Sequence, residues 1–463
     1  MVKNFKIFLY NILPFVKRLW NDPDLLEPFK PFLIMWLLPG LLIGGTLNQQ
    51  AWSNTLLIIG RTASALSLLA AVIIVWSTCS EKRWPLAIFT GIIISKAGRI
   101  MMGDSYGLYA LYTVFLALLV CFAGAAVAFE KKQVIYQQVM FFCLISIPLM
   151  IMQLTGFSEW TQILRTDFHG SETIAQVPTL FVAYQNLSIL TSQVRPAGFL
   201  WASNFLSVII MFGLGLHYGR VKTGRLNWQD FALCAIAVLA MAKIVFLTFF
   251  VIVVWRFLTG DSFQKKKIIK VIILFFSLMI VYAIFFPGVF AYNTSADLLV
   301  KNIKGRFHDL AFTMESKSTK DIDNIKPVSK SIDHPEPVSK SIDHVDHKSK
   351  SPGASPVESS VESKSTKSIG HESGYASLVE NSLPYLIIAL FFLIPFYLKG
   401  FKQLKFPELK DTTILILFVM ILNPLAASFL EGAVFWFIAG FAFLPLLLNA
   451  GLINSNNASP VVE

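Results

Sequence analysis

Charged residues are scarce in this sequence. Asp, Glu, Lys and Arg make up 14% of the 463 residues, whereas apolar residues make up 55% and the mean hydropathy is +0.62. This balance excludes an ordinary water-soluble domain of the same length. Many stretches offer about 18 to 25 mainly apolar residues, which is the length at which a helix spans the hydrocarbon core of a bilayer. The sequence therefore predicts an all-α polytopic membrane protein.

Cysteine is also rare. The four cysteines, which all lie inside apolar runs, are Cys79, Cys121, Cys143 and Cys234. Their placement excludes a disulfide framework and a zinc site, and it predicts small buried side chains. The sequence also lacks a phosphate-binding glycine loop and a serine nucleophile elbow. We therefore expect no metal and no cofactor.

The apolar runs predict about twelve transmembrane helices. The spans lie near residues 32–47, 54–79, 84–102, 106–129, 134–155, 198–218, 231–258 (crossed twice), 268–290, 384–398, 412–430 and 433–450. Residues 1–31 are predicted to form an interfacial helix at the cytoplasmic face. With both termini in the cytoplasm, residues 451–463 form a cytoplasmic tail. The predicted location is the cytoplasmic, or inner, membrane.

The run at 231–258 is predicted to cross twice because both of its flanks are basic. The flanking cations are Arg220, Lys222, Arg225, Lys265, Lys266 and Lys267. Positive clusters belong on the cytoplasmic side, so both flanks can lie inside only if the chain returns. Lys243 then marks the turn at the outer face.

Two long outer loops follow from this topology. The first covers about residues 156–197, and the second, from about 291 to 383, contains a low-complexity insert at 315–370. PVSKSIDH and ESKSTK each occur twice there. A segment of such low hydrophobicity cannot bury enough apolar surface to fold, so it is predicted to be disordered. Its histidines could suggest metal binding, but a duplicated polar spacer is favoured. The membrane domain is thereby divided into residues 32–314 and 371–450.

The net charge of +11 is mostly a consequence of topology. Outside the insert, the cations on predicted outer segments are Arg165, Arg195, Lys301, Lys304 and Arg306. Most other cations fall on predicted inner segments, as expected of a membrane protein. A basic chain of this kind need not bind nucleic acid.

QVRPAGFLWASNF places polar residues where the chain enters a span. The guanidinium of Arg195 suits a phosphate, because it is planar and offers several donors. Gly198 would let the backbone approach a ligand closely, and Asn204 would add a polar group within the span. The alternative is an arginine that snorkels or caps a loop.

Other cations near the outer face predict a basic cavity. Arg306 follows a span, and Lys96 and Arg99 share a helix face towards the outer end of theirs. With Arg195 and Lys243 they would form an outward-facing anion site.

HESGYASLVENSLPYL closes the second outer loop. His371 and Glu372 stand directly before the chain re-enters the membrane, and either could act as a general base. Glu372 could instead satisfy free N–H groups at a helix N-terminus. Tyr375 lies on the same predicted helix.

Three features resemble the O-antigen polymerase and O-antigen ligase superfamily of envelope polysaccharide enzymes. VRPAGFLWASNFLS is similar to that family's Arg-x-x-Gly-Phe-x-x-x-Asn stretch. The double crossing at 231–258 carries Lys243 where the family often has arginine. ESGYASLVENSLPYLI resembles the polymerase Glu-Ser-x-Tyr element. The ligase branch has a histidine followed by a small polar residue at this position. Here Glu372 follows His371, which is closer to the polymerase pattern.

The resemblance implies inverting glycosyl transfer from an undecaprenyl-pyrophosphate-linked oligosaccharide at the outer face of the membrane. Arg195 and Arg306 would clamp the pyrophosphate, with Lys243 and Arg99 as further binding residues. Glu372 or His371 would be the base, and Gly198, Asn204 and Tyr375 would support the site. Membrane lipid, a chain-length regulator and a flippase are the implied partners.

Two other functions remain open at this point. One is ligase-type transfer of the glycan to a different acceptor. The other is a lipid-linked oligosaccharide flippase or transporter, which would be expected to carry charge near the middle of the membrane. The cations gather near the outer ends of spans instead, which favours chemistry at one face.

Overall fold

The computed structural model describes residues 28–48, 54–79, 83–103, 106–154, 196, 198, 200, 203–220, 224–294, 393–404, 406–422 and 432–453. These residues are almost entirely helical. They contain no β-strand, and one isolated bridge joins Cys79 to Ile453. The predicted all-α class is confirmed for this part of the chain.

The helices are, in order, α1 (Lys30–Asn48), α2 (Asn54–Thr78), α3 (Arg83–Met102), α4 (Tyr106–Leu154), α5 (Ser203–Tyr218), α6 (Trp228–Ala240), α7 (Lys243–Thr259), α8 (Ser262–Phe285), α9 (Pro287–Thr294), α10 (393–403), α11 (Pro407–Leu422) and α12 (Ala433–Asn449). Four stretches among the described residues are long and apolar enough to cross a membrane: Leu57–Thr78, Arg83–Met102, Gly107–Met152 and Ser262–Phe285. The protein therefore has the helices of a membrane protein.

Helix α4 consists of two helices joined at Lys131, whose φ of −139° and ψ of 37° are non-helical. Before the break, Arg99 near the end of α3 stacks on Tyr109. Glu130 then meets Lys30 at the start of α1, so this half runs towards the start of α1. After the break, Gln138 donates to the carbonyl oxygen of Met35, farther along α1. The chain therefore reverses at Lys131, which coincides with the predicted boundary between residues 129 and 134.

Helices α6 and α7 form an antiparallel pair. Asp230 near the start of α6 contacts His217, and Arg256 near the end of α7 contacts the next residue, Tyr218. Both ends of the pair therefore lie beside the end of α5. The turn is at Met241, which adopts the left-handed conformation with φ 45°. The predicted reversal next to Lys243 is confirmed.

These contacts define two ends of the helical bundle. The network end is where helix termini meet through ion pairs: Lys30 with Glu130 at 2.8 Å, Lys132 with Glu408 at 3.5 Å, Arg256 with Asp411 at 2.7 Å, and Lys267 with Asp230 at 2.9 Å. The loop end is opposite and contains Arg99, Leu154, Lys243 and Phe285. Since α5 ends at the network end and α8 begins there, Ser203 and Phe285 lie at the loop end.

Small residues allow the helices to pack closely, as is common in membrane bundles. Gly124 of α4 lies against the backbone of Phe437, and Gly440 of α12 lies against the backbone of Cys121. A Cβ at either glycine would overlap these backbone atoms. All four cysteines are buried, as the sequence predicted.

The outward faces of several helices are strongly apolar. Ile94 of α3 and Ile280 of α8 are 63% and 62% exposed, and they have many exposed aliphatic neighbours. Such large apolar surfaces are rare on water-soluble monomers. They are the surface that a lipid environment would cover.

Both boundaries of the predicted span at 268–290 differ in the structure. Helix α8 begins at Ser262, six residues before the predicted span at 268, because the Asp261 side chain accepts a hydrogen bond from the backbone N–H of Gln264 and starts the helix in the basic flank. The same span was predicted to run to 290. The helix is interrupted at Phe286, directly before Pro287, which cannot donate a backbone hydrogen bond.

Candidate functional site

The predicted membrane-surface site lies largely outside the described residues. This applies to Arg195, Arg306, His371, Glu372 and Tyr375 and to the side chain of Asn204, whose backbone belongs to α5. Their assigned roles stay predictions. Gly198, Arg99 and Lys243 are described, and all three lie at the loop end.

Gly198 has a positive φ of 60° and lies against Ser146 in the second half of α4. A Cβ there would come within 2.6 Å of the Ser146 Cβ. Both the backbone conformation and the lack of space therefore require glycine. This contact fixes the chain at the loop end three residues after Arg195.

Two of the described cations at the loop end lie beside aromatic rings. The guanidinium carbon of Arg99 is 4.6 Å from the centre of the Tyr109 ring, and the Lys96 Nζ is 5.1 Å from that of Tyr112. The predicted shared face of Lys96 and Arg99 is confirmed, because both side chains face the first half of α4. Lys243 is the first residue of α7, where the helix dipole is positive.

A buried polar network at the network end was not predicted from the sequence. Asp230 is fully buried and Lys267 is 2% exposed, and their charged groups are 2.9 Å apart. The other carboxylate oxygen of Asp230 is 2.8 Å from the Nε2 of His217. The Nδ1 of His217 is 2.8 Å from the hydroxyl of Tyr136. The network therefore joins α4, α5, α6 and α8.

The hydrogen-bond directions follow from the ion pair. A carboxylate paired with Lys267 can only accept, so the Nε2–H of His217 donates to Asp230. In a neutral imidazole the Nδ1 is then an acceptor, and the Tyr136 hydroxyl donates to it. Asp230 also accepts from the backbone N–H of Asn227, whose side chain accepts in turn from the backbone N–H of Asp230. This reciprocal pair is a capping box that starts α6.

A second set of contacts reinforces the same end. Arg256 is 3% exposed and donates to the backbone carbonyl of Tyr218 and to Asp411 of α11. Arg220 stacks on Tyr136 with its guanidinium carbon 4.6 Å from the ring centre. These contacts connect the α6–α7 pair to helices before and after it in the chain.

The network has the chemistry of an anchor. Both carboxylate oxygens of Asp230 are occupied by protein donors, and the participating groups are almost completely buried. A fully satisfied buried network stabilises one helix arrangement, and it leaves no free acceptor for a substrate. Part of it is visible in the sequence: Asn-x-x-Asp directly before an apolar run is a helix-start pattern. No sequence pattern of this kind marks His217 and Lys267, the partners of Asp230.

Within the described residues, no group of three or more His, Cys, Asp or Glu side chains could hold a metal ion. Searches against protein families, curated proteins and solved structures find no match to this chain.

Proposed function

We propose that this protein polymerises lipid-pyrophosphate-linked oligosaccharide repeat units into an envelope polysaccharide. The donor is an undecaprenyl-pyrophosphate-linked saccharide, and the reaction is inverting glycosyl transfer at the outer face of the cytoplasmic membrane. The proposal combines the motif resemblance with the arrangement of the described helices.

The observation that carries the proposal is that the loop end and the network end lie at opposite ends of the helical bundle. The helices next to the first long loop, α4 and α5, have Leu154 and Ser203 at the loop end, where Gly198 packs on Ser146. Helices α8 and α9 lead from the network end towards the second long loop. Motif-bearing segments attached at one end support a single reaction site at one membrane face.

The chemistry requires only groups that the sequence offers. An acceptor hydroxyl attacks the anomeric carbon, and the bond from that carbon to the pyrophosphate oxygen breaks. The lipid pyrophosphate leaves with the bonding electron pair, and the hydroxyl proton passes to Glu372 or His371. Arg195 and Arg306 stabilise the charge that develops on the leaving group, where fixed cations lower the barrier most.

The proposed topology has twelve spans and both termini in the cytoplasm. The network end is then the cytoplasmic end, which agrees with its many cations. A flippase that delivers the donor and a chain-length regulator are the expected partners. Shorter apolar helices such as Trp228–Ala240 and Ala433–Asn449 would cross together with their bundle neighbours.

Purified protein in liposomes, supplied with lipid-linked repeat units, is expected to form glycans of many repeats. Products are sized by gel electrophoresis and mass spectrometry, with Arg195→Lys protein as the matched control. Products of a single repeat joined to a different acceptor would instead support a ligase. Movement of the intact donor across the bilayer without new glycosidic bonds would identify a flippase.

The α6–α7 turn gives a direct test of sidedness. In intact cells, Lys243→Cys protein is expected to react with a membrane-impermeant thiol reagent added from outside. Arg225→Cys and Lys266→Cys, at the network end, should react only after permeabilisation. Background labelling should be low because the four native cysteines are buried. Labelling of position 225 without permeabilisation would contradict the topology.

A further inference from the structure

Two basic segments at the network end are packed against each other. Residues 224–228 lead into α6, and α8 begins at Ser262. A Cβ on Gly224 would lie 3.1 Å from the carbonyl oxygen of Phe263, and the Nζ of Lys270 is 3.4 Å from the carbonyl oxygen of Gly224. The contact brings Arg225 next to the first two turns of α8.

The α8 face at this contact concentrates positive charge. Phe263, Lys266 and Lys270 are spaced i, i+3 and i+7, so they share one face of the helix. Lys266 and Lys270, four residues apart, repel each other and would destabilise the helix if nothing neutralised them. Across the described residues, neither lysine forms an ion pair with a carboxylate. Lys267 differs, because it points inward to Asp230.

Two exposed aromatic side chains lie in the same two segments as these cations. Trp228 is 58% exposed and Phe263 is 64% exposed. Arg225, Lys266 and Lys270 are exposed as well. Aromatic rings beside Lys and Arg are typical of the headgroup level of a bilayer, where apolar faces meet lipid and cations meet phosphate. We call Arg225, Trp228, Phe263, Lys266 and Lys270 the basic patch.

We propose that the basic patch binds the headgroup of an anionic phospholipid. Arg225, Lys266 and Lys270 contact the phosphate and the additional negative charge of the headgroup, while Trp228 and Phe263 pack against the upper acyl chain. The occupant is a lipid rather than an acidic protein because the cations adjoin exposed apolar rings at the end of the bundle. This binding is separate from glycosyl transfer, so it stands or falls independently of the proposed function.

The test compares lipid binding by the full-length protein with that of two charge-matched variants. The patch variant is Arg225→Gln/Lys266→Gln/Lys270→Gln. The control variant, Lys131→Gln/Lys399→Gln/Lys402→Gln, removes the same charge from exposed positions elsewhere at the network end. Each protein, in a neutral detergent, is titrated with phosphatidylglycerol or with phosphatidylcholine of the same acyl chains, and bound lipid is counted by native mass spectrometry.

Wild-type protein and the control variant are expected to retain phosphatidylglycerol in preference to phosphatidylcholine. A surface cation contributes roughly fivefold to the affinity for an anionic lipid surface, so the patch variant should lose its preference by tenfold or more. Raising the salt concentration should weaken the wild-type preference. Equal retention of the two lipids by wild type, or equal losses in both variants, would overturn the proposal. Loss of poly-glutamate binding in the patch variant, with its lipid preference intact, would overturn it in favour of an acidic protein partner.

Discussion

Asp230→Asn is expected to lower the free energy of unfolding by about 3 to 5 kcal/mol, because it leaves the buried charge of Lys267 without its partner. Asparagine keeps the size of the side chain and can still accept from Asn227. It cannot neutralise an ammonium group that is 2% exposed and 2.9 Å away. The effect can be measured by SDS-induced unfolding in mixed micelles, with helix content followed by circular dichroism.

Two controls separate the buried charge from other causes. Asp230→Asn/Lys267→Met removes both charges and should recover much of the lost stability, since an apolar replacement of a buried pair is often neutral. Glu408→Gln breaks the partly exposed pair with Lys132, at 3.5 Å, and should cost about 1 kcal/mol or less. If Asp230→Asn costs no more than Glu408→Gln, the network is not the anchor that holds α6.

Arg195→Lys and Arg306→Lys are each expected to slow glycan formation by about 10² to 10³, which corresponds to roughly 2 to 4 kcal/mol of lost transition-state stabilisation. Lysine keeps the charge, but it cannot bind two phosphate oxygens with a planar fork. The measurement is the initial rate of polymer formation in liposomes at saturating donor. Arg225→Lys, at the opposite end of the bundle, is the matched control and should retain the wild-type rate.

The same assay identifies the base. Glu372→Gln keeps the size of the side chain and removes its proton acceptor, whereas His371→Ala removes the competing group. If only His371→Ala is inactive, the base is the histidine and the ligase branch becomes the better assignment. If both arginine variants keep the wild-type rate and product length, the diphosphate clamp is wrong and Arg195 is a loop anchor.

Local composition was enough to predict the helical membrane class and two of the reversals. Hydropathy reports the preference of each stretch for lipid, and it can be read without knowing which helices pack beside that stretch. The break at Lys131 falls between two apolar runs in the charged stretch FEKKQ. The reversal beside Lys243 followed from basic residues on both flanks, because the side on which cations accumulate is a local property of the sequence.

The identity of the buried charges was decided by tertiary structure alone. Lys265, Lys266 and Lys267 look equivalent in the sequence, which places all three in a basic flank on the cytoplasmic side. In the structure Lys267 points into the bundle and meets Asp230, while Lys266 stays exposed. Helix rotation separates neighbouring side chains by about 100°, and the packing of α8 against α6 determines which one is turned inward.

The sequence by itself determined which stretches are helical and apolar, and it supplied the motifs on which the proposed glycosyl transfer rests. Tertiary structure decided that the helix termini of the network end meet, and that Gly198 lies against Ser146 at the loop end. The reason is the sequence separation over which each effect acts. Hydropathy and helix capping act between residues a few positions apart, whereas Tyr136 and His217 are 81 positions apart and Arg256 and Asp411 are 155 positions apart. Such pairs form only when helix packing brings their side chains within hydrogen-bond distance.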